Sequence, residues 1–409
     1  MVLAFRIVLF VVTLGVFVAA NVYLYRRLVR DVTERTWLRR LAAGVLAASF
    51  LAVPVLRFVF RDVARHPELT AAVLFSWAVT IYTLMALLVV ELARWLASLR
   101  AFATGPSPQP ATSEAASGLP GSPEPRPSAA DPSRRVFLAR ATAAGALAVG
   151  GGVAAFGSYR AFTPPAVSEV PILLPGLPKA LDGFTIVQLS DIHIGPVIQE
   201  RFLDRLVDAA NSAKPDLVAI TGDLVDGKPD SLGGFVQRLS RLRSRHGTYF
   251  VSGNHDYYSG WETWAQVLPG VGFTVLRNRF VTIGDAGGSF DLIGVDDWGS
   301  RWGGTGGYDL DAATAGRDPE RASVLLAHQP NGLELAAEKR IGLQLSGHTH
   351  GGQMFPGTLV GEVIWGSRNA GLSRLKDTQL YTSRGCGFVG PPVRVGAPPE
   401  VVKLVLVAG

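Results

Sequence analysis

Cysteine is nearly absent. Cys386 stands alone in 409 residues, which excludes any internal disulfide and leaves the redox compartment unstated. Lysine is scarce too, six against thirty-three arginines, a bias that carries no functional weight. Excess charge is missing from most of the chain. Residues 1–103 hold twelve Lys or Arg and five Asp or Glu, whereas the remainder holds twenty-seven and twenty-eight. The net +6 therefore belongs to the N-terminal part, and no nucleic-acid partner is expected for a remainder without a basic surplus. Only seven histidines occur, and five of them fall in short polar segments between Asp191 and His350.

Long apolar runs are confined to the first part. Ile7–Tyr25, Leu41–Phe60 and Thr70–Leu92 each match the length needed to cross a hydrocarbon core of roughly 30 Å as a helix. None shows the polar stripe of a buried soluble helix, and no charge pair sits mid-run to mark a transport pathway. A small transporter or channel is therefore disfavoured, and residues 1–103 read as a membrane domain of three spans. The loop between the first two runs carries Arg26, Arg27, Arg30, Arg35, Arg39 and Arg40, which places it in the cytoplasm. The next loop then lies outside, and Arg94 and Arg100 return to the cytoplasmic side.

Residues 104–133 are Pro, Ser, Ala and Gly with little else, a flexible linker without a core. Residues 134–158 open with Arg134-Arg135 and continue as an Ala/Gly-rich apolar run. This resembles a twin-arginine export signal placed internally, with the twin-arginine export machinery as partner. An ordinary fourth span obeying the positive-inside bias reads the same residues equally well. Both readings send the rest of the chain outward, so the expected location is the cell membrane, multi-pass, with residues 161–409 on the extracytoplasmic side.

From about Ala161 short β-rich runs alternate with amphipathic helices. Strands are expected at Phe184–Ser190, Asp216–Thr221, Thr248–Ser252, Phe290–Val295, Ser323–Ala327, Gly342–Ser346 and Val401–Val407, with helices at Gln199–Ala213, Phe235–Leu242 and Leu333–Lys339. Polar residues gather at the strand ends, where α/β sheets collect ligands. The segments are Asp191-Ile-His193, Gly222-Asp223, Gly253-Asn254-His255-Asp256, His328 and Gly347-His348-Thr349-His350. In Asp-x-His on an extended segment both side chains face one side and reach one ion. Carboxylate and amide oxygens mixed with imidazoles suit Mn, Fe or Zn. Two such cations roughly 3.5–4 Å apart can activate a bridging water and clamp a phosphoryl oxygen.

These five ordered segments resemble the signature of the calcineurin-like metallophosphoesterase superfamily. The run Gly347-His-Thr-His-Gly-Gly-Gln353 behind an anchored N-terminus is similar to its membrane-anchored bacterial YkuE/YaeI-type branch. The resemblance covers roughly Pro171 to the C-terminus. It implies an α/β fold, a four-layer α/β/β/α sandwich, here preceded by transmembrane helices. It also implies two divalent metal ions, with Asp191, His193 and His350 on the first, Asn254, His328 and His348 on the second, and Asp223 bridging. A bridging hydroxide would attack phosphorus, His255 would protonate the leaving alkoxide, and Asp256 would orient the His255 ring.

Each residue has a plainer reading. A lone strand-end histidine such as His328 is ordinarily a capping or surface residue, and it gains weight because a seventh ligand is needed between Asn254 and Gly347. Asp256 could cap a following helix, Asp226 reads as a turn residue, and Cys386 is given no role. The function implied is metal-dependent hydrolysis of a phosphodiester or phosphomonoester. The alternative is a membrane-bound phosphate-ligand binding or sensor protein that retains the metal site, although a binder has no need of a proton donor at His255. Tyr257, Tyr258, Trp261, Trp264, Trp298 and Trp302 are candidate substrate clamps near a membrane. With the anchor they point to a lipid-linked or envelope phosphoester, and ordinary packing of these rings is the competing reading. Trp298–Gly307 resembles a mobile loop.

Overall fold

All five side chains of Thr185-Ile-Val-Gln-Leu189 are buried, which demands cover on both faces of the sheet they join. The computed structural model describes residues 2–59, 66–103, 132–285, 287–299 and 307–409. It divides into one unit of Met1–Val53 with Ser76–Ala154 and another of Pro54–Phe75 with Ala155–Gly409. Most of the 104–133 linker, Trp302 and the centre of the Trp298–Gly307 loop lie outside the described residues.

The first unit is helical. Its apolar runs form α1 (Val2–Tyr25), α2 (Thr36–Val59), α3 (Pro67–Ala103) and the start of α4 (Pro132–Phe162). Two stretches among the described residues, Pro67–Arg100 and Ser133–Phe162, are long and apolar enough to cross a membrane. Arg27 just beyond α1 pairs with Glu91 near the end of α3. Arg94 reaches Thr142 near the start of α4 at 3.2 Å. The ends of α1 and α3 and the beginning of α4 therefore lie at one end of this unit. Gly150 of α4 packs so closely on Thr83 that a Cβ there would meet its hydroxyl at 2.3 Å.

The second unit holds two six-stranded sheets. Its strands are β1 (Ala166–Leu174), β2 (Thr185–Leu189), β3 (Leu217–Thr221), β4 (Thr248–Val251), β5 (Phe273–Val275), β6 (Arg279–Asp285), β7 (Gly288–Gly294), β8 (Ser323–Leu326), β9 (Leu343–Ser346), β10 (Gly371–Leu375), β11 (Thr378–Thr382) and β12 (Glu400–Ala408). The orders are β1-β12-β2-β3-β4-β5 and β10-β11-β9-β8-β7-β6. Between them run α5 (Glu200–Ser212), α6 (Pro229–Val236), α7 (Asn254–Tyr258), α8 (Trp261–Val271), α9 (Leu310–Thr314), α10 (Leu333–Glu338) and α11 (Gly357–Trp365).

The period-2 alternation of strand side chains sorts residues into separate cores. Val187, Leu189, Val218 and Ile220 join Phe202, Leu206, Trp261 and Trp264 of α5 and α8. Their strand neighbours Ile186, Leu217 and Ala219 join Leu292, Val324 and Leu345 of the other sheet. Ile293 and Leu325 turn the opposite way, onto Leu310, Ala313 and Ala336 of α9 and α10. Helix, sheet, sheet, helix is the expected four-layer order.

Two expectations change. The helix placed at Phe235–Leu242 starts earlier, because Pro229, with its fixed φ, opens α6, and Gln237–Arg241 tightens into a 3-10 turn. Trp261 and Trp264 are 2% and 1% exposed and belong to the helix-side core, with the Trp264 Nε1–H donating to Gly227 O at 2.9 Å. Packing accounts for both rings. Tyr258, 75% exposed, remains available to a ligand.

Candidate metal centre

The polar segments follow strands directly: Asp191 and His193 come after β2, Asp223 after β3, Asn254 and His255 after β4, His328 after β8, and His348 and His350 after β9. Parallel pairing of β2, β3 and β4, and of β8 and β9, puts these ends together at one edge. Gln188 ties the two sheets beneath them, its amide donating to Thr221 Oγ1 and Ser346 O, each at 2.9 Å.

Asp191 and His193 do not sit on an extended segment as expected. Asp191, His193, Asp223, His348 and His350 all have φ between 50° and 72°, a left-handed region that costs a non-glycine residue about 1–3 kcal/mol. Backbone hydrogen bonds hold them there: Asp191 N–H donates to Gly222 O and His193 N–H to Asp223 O. Gly222, at φ +83°, leaves room for the His328 ring, since a Cβ would lie 2.7 Å from Nδ1.

Asp191, His193 and His350 bring one ligand atom each into a common cluster, as do Asp223, His328 and His348. His193 Nε2 lies 3.1 Å from His350 Nε2 and 3.8 Å from Asp223 Oδ2, so the clusters adjoin. His328 Nδ1 lies 2.9 Å from Thr221 O. Its Nε2 faces Asp223 Oδ2 at 3.2 Å; burial opposes a charge on this ring, but Asp223, Asp191 and Asp297 raise its pKa well above the ordinary value. That Nε2 and Asn254 Oδ1 are buried without a hydrogen-bond partner. Such orphaned atoms are costly unless a ligand meets them, and with the oxygen and imidazole set they fit two divalent cations.

The charges support this reading. Burial opposes a charge on His193, but Asp226, Asp223 and Asp191 overcome it and lift its pKa to about 9. Burial also opposes ionisation of Asp223, and His328 beside it reverses the effect, holding the carboxylate well below its ordinary range. His348 is pushed down to about 3 by burial and then by His328. His350 falls by burial and by the neighbouring Arg394. Both rings thus stay neutral, as ligands must.

Asp256 does not orient His255. It is buried, and its carboxylate accepts backbone N–H groups of Gly253, Leu224 and Val225 at 2.8, 2.9 and 3.2 Å, fastening two loops and capping α7. The carboxylate on His255 belongs to Asp226, whose Oδ1 lies 2.7 Å from His255 Nδ1 and 3.2 Å from His193 Nδ1. Asp226, read as a turn residue, thus links a metal-ligand candidate to the acid candidate. Its position three residues past Asp223 was the available signal. Arg394 was missed without any signal. Its buried guanidinium donates to Gly387 O, Arg384 O and His350 O, and Nη2 lies 3.0 Å from His350 Nδ1. Cys386 is buried, with its thiol pushed up to about 12 by that burial.

Residues 184–352 match the calcineurin-like phosphoesterase family. A zebrafish (Danio rerio) transmembrane protein with metallophosphoesterase domain is 36% identical over 263 residues, 62% of this chain and 60% of the relative. The Bacillus subtilis uncharacterised metallophosphoesterase YkuE is 32% identical over 287 residues, covering 67% of this chain and 97% of its own length. The chain thus spans about three-fifths of the zebrafish relative and nearly all of the bacterial one. Among solved structures, a zebrafish dimetal phosphatase aligns with 56% of this chain and 100% of its own, at 12% identity and TM-score 0.37.

Asp226→Asn is expected to weaken Mn²⁺ binding roughly 10–100-fold, as loss of an outer-shell carboxylate does. Asp256→Asn should instead lower the melting temperature, because three backbone donors lose their anion, while affinity in the folded fraction changes little. Calorimetric titration with thermal unfolding separates the two. A second expectation concerns pH. Below about 9, metal-free His193 carries a proton that ligation must expel, so Mn²⁺ affinity should climb as pH rises toward that value. Titration in buffers of different ionisation enthalpy should register the released proton, and a pH-independent affinity would contradict the assignment.

Proposed function

Because the chain belongs to the calcineurin-like phosphoesterase family, we propose that its sheet unit hydrolyses phosphoesters with two divalent cations. The observation that carries this reading is the pair of adjoining clusters, Asp191/His193/His350 and Asp223/His328/His348, with the His255–Asp226 pair beside them. Asn254, with its orphaned Oδ1, completes the second cluster, and Asp223 serves both. When bound, the cations would lower the pKa of a water and neutralise phosphoryl oxygens.

The protein's own residues supply the rest. A water that has released one proton to solvent bonds through its oxygen to phosphorus, the bond from phosphorus to the leaving oxygen breaks, and His255 Nε2 gives its proton to that oxygen. Asp226 accepts from Nδ1–H, fixing the tautomer and stabilising the imidazolium while that ring is charged. Tyr258, with its ring 5.5 Å from that of His255, is placed to meet the leaving group. This proton donor favours an enzyme over a binding or sensor protein.

The substrate class we propose is a lipid-linked or envelope phosphoester, presented to a unit held at the cell membrane with its site extracytoplasmic. The helical unit supports this, since the α1 and α3 ends and the α4 start lie together, as alternating spans require. The arginines between the first two spans set the direction.

With Mn²⁺ added, the full chain in detergent should hydrolyse bis-p-nitrophenyl phosphate or p-nitrophenyl phosphate, and the preferred ester will define the class. Asp223→Ala should abolish turnover together with metal uptake. His255→Gln should keep its metal yet lose roughly 10²–10⁴ in kcat. Unchanged turnover in Asp223→Ala would sink the two-cation reading. For topology, alkaline phosphatase fused after Gly409 should be active in cells, and twin-arginine-deficient cells should lose that activity only if Arg134-Arg135 is read as an export signal. A fusion active only as a cytoplasmic reporter would overturn the orientation.

A further inference from the structure

Helix α11 leaves its apolar side chains uncovered. Leu359, Val360 and Ile364 are each more than half exposed, Val363 is 87% exposed, and Phe355 just before the helix is also exposed. The spacings 359/363 and 360/364 put the four helical residues on one face. Glu362 is the only charged residue from Met354 to Ser367, and it holds the Asn369 amide at 3.1 Å. A contiguous apolar face of this kind on a folded unit marks a docking surface.

Two further observations say what covers it. The last turns of α4, which belong to the sheet unit, reach α11 through one intervening segment. Gly157 packs against Val393 and Val395, and its carbonyl accepts Arg394 N–H at 2.9 Å. Val395 O accepts Phe355 N–H at 2.9 Å, directly ahead of α11. Phe162, the last residue of α4, packs edge-on against Phe388 at 5.3 Å, and β1 begins four residues later. A helix long and apolar enough to cross a bilayer therefore enters the unit against the Val393–Val395 segment, whose Val395 pairs with Met354 just ahead of α11, with no linker to lift it off. The other end of α11 borders the site: the Trp365 ring lies 5.8 Å from that of His348.

We propose that α11 docks on the surface of the membrane that α4 crosses, with Leu359, Val360, Val363 and Ile364 among the upper acyl chains. The metal centre then opens toward esters whose phosphate lies at headgroup depth. This rests on the phosphoesterase reading above and names the plane from which its substrate comes. The helix is short, and its anchoring adds to a tether that already holds the unit at the surface, so a few apolar side chains suffice.

The test uses the full chain in phosphatidylcholine/phosphatidylglycerol nanodiscs, with an environment-sensitive fluorophore on Val363→Cys. Buried Cys386 leaves the new thiol to be labelled selectively, and Arg243→Cys at an exposed site before β4 is the control. Docking predicts quenching by lipids brominated high on their acyl chains and protection from aqueous iodide at 363, with the reverse at 243. Iodide quenching at 363 without bromolipid quenching would overturn it. Protection from both quenchers would also overturn it, identifying a protein cover such as the helical unit or a second copy.

Activity separates this from the parent reading. Val363→Glu with Ile364→Glu should slow hydrolysis of phosphatidyl-p-nitrophenol in the nanodisc roughly tenfold or more, the scale of losing one buried aliphatic side chain. Bis-p-nitrophenyl phosphate turnover should stay within about twofold, because the substituted positions are surface residues outside the site. Equal loss on both esters, or no wild-type turnover of the nanodisc ester, would refute a membrane-plane substrate. Failure of wild type on the soluble esters would instead strike the phosphoesterase reading.

Discussion

A carboxylate removed from water must be met by positive charge or by donors, and Asp223 is where that requirement governs the molecule. It is 2% exposed, with His328 Nε2 3.2 Å and His193 Nε2 3.8 Å away and the His255 N–H donating to it at 2.8 Å. Those partners come from the ends of three different strands across two sheets. The sheets must therefore abut at one edge with the register observed, and Gln188 beneath the site enforces it. A polar cluster this dense is costly when partly satisfied. Cations bound to the two clusters would complete it, so the fold and the proposed chemistry depend on the same atoms.

The strain is distributed accordingly. Five of the seven expected ligands adopt left-handed backbone angles, a cost that persists only where surroundings over-determine the conformation. Here the surroundings include the adjoining loops: Gly222 O and Asp223 O accept from Asp191 and His193, and the Asp191 carboxylate accepts from the His348 N–H. Asp256 strengthens the arrangement, bracing the loops of Asp223 and Asn254 with one carboxylate. Burial and Asp223 raise its pKa to about 7, so near neutral pH it is divided between a charged acceptor and a neutral acid. Its position makes it a structural brace rather than a partner of His255.

What could be read from the sequence was whatever chemistry is local along the chain. Buried strands such as Thr185–Leu189 announce themselves by apolar content, and each is followed by its polar segment, so Asp191, His193, Asp223, His328, His348 and His350, which the fold gathers into two clusters, were legible. Asp226 was not, because its role depends on where β3 and β4 place two loops relative to each other. Proximity to Asp223 along the chain favours a turn, whereas proximity in space makes it the anion shared by His193 and His255. Arg394 lay further from reach: a guanidinium satisfied by backbone carbonyls leaves no pattern of spacing. Trp261 and Trp264 could be read either way for a related reason. Aromatic content fits a membrane surface and a core alike, and burial alone separates Trp264 from Tyr258.

The apolar surface that does face solvent lies elsewhere, on α11, in a stretch whose composition resembles a core helix. Amphipathic core helices of this unit, such as α5, turn Phe202, Leu203, Leu206 and Val207 inward. In α11 only Gly361 is buried, against the Asn369 side chain. Two constraints thus meet at one edge of the fold. The strand ends must converge to hold cations, and the segment that follows the last ligand must run outside the four layers. An apolar helix in that position is a liability in water and an asset at a bilayer. On the proposed reading, the approach of α4 through Gly157 and Val395 would bring a bilayer to the same edge.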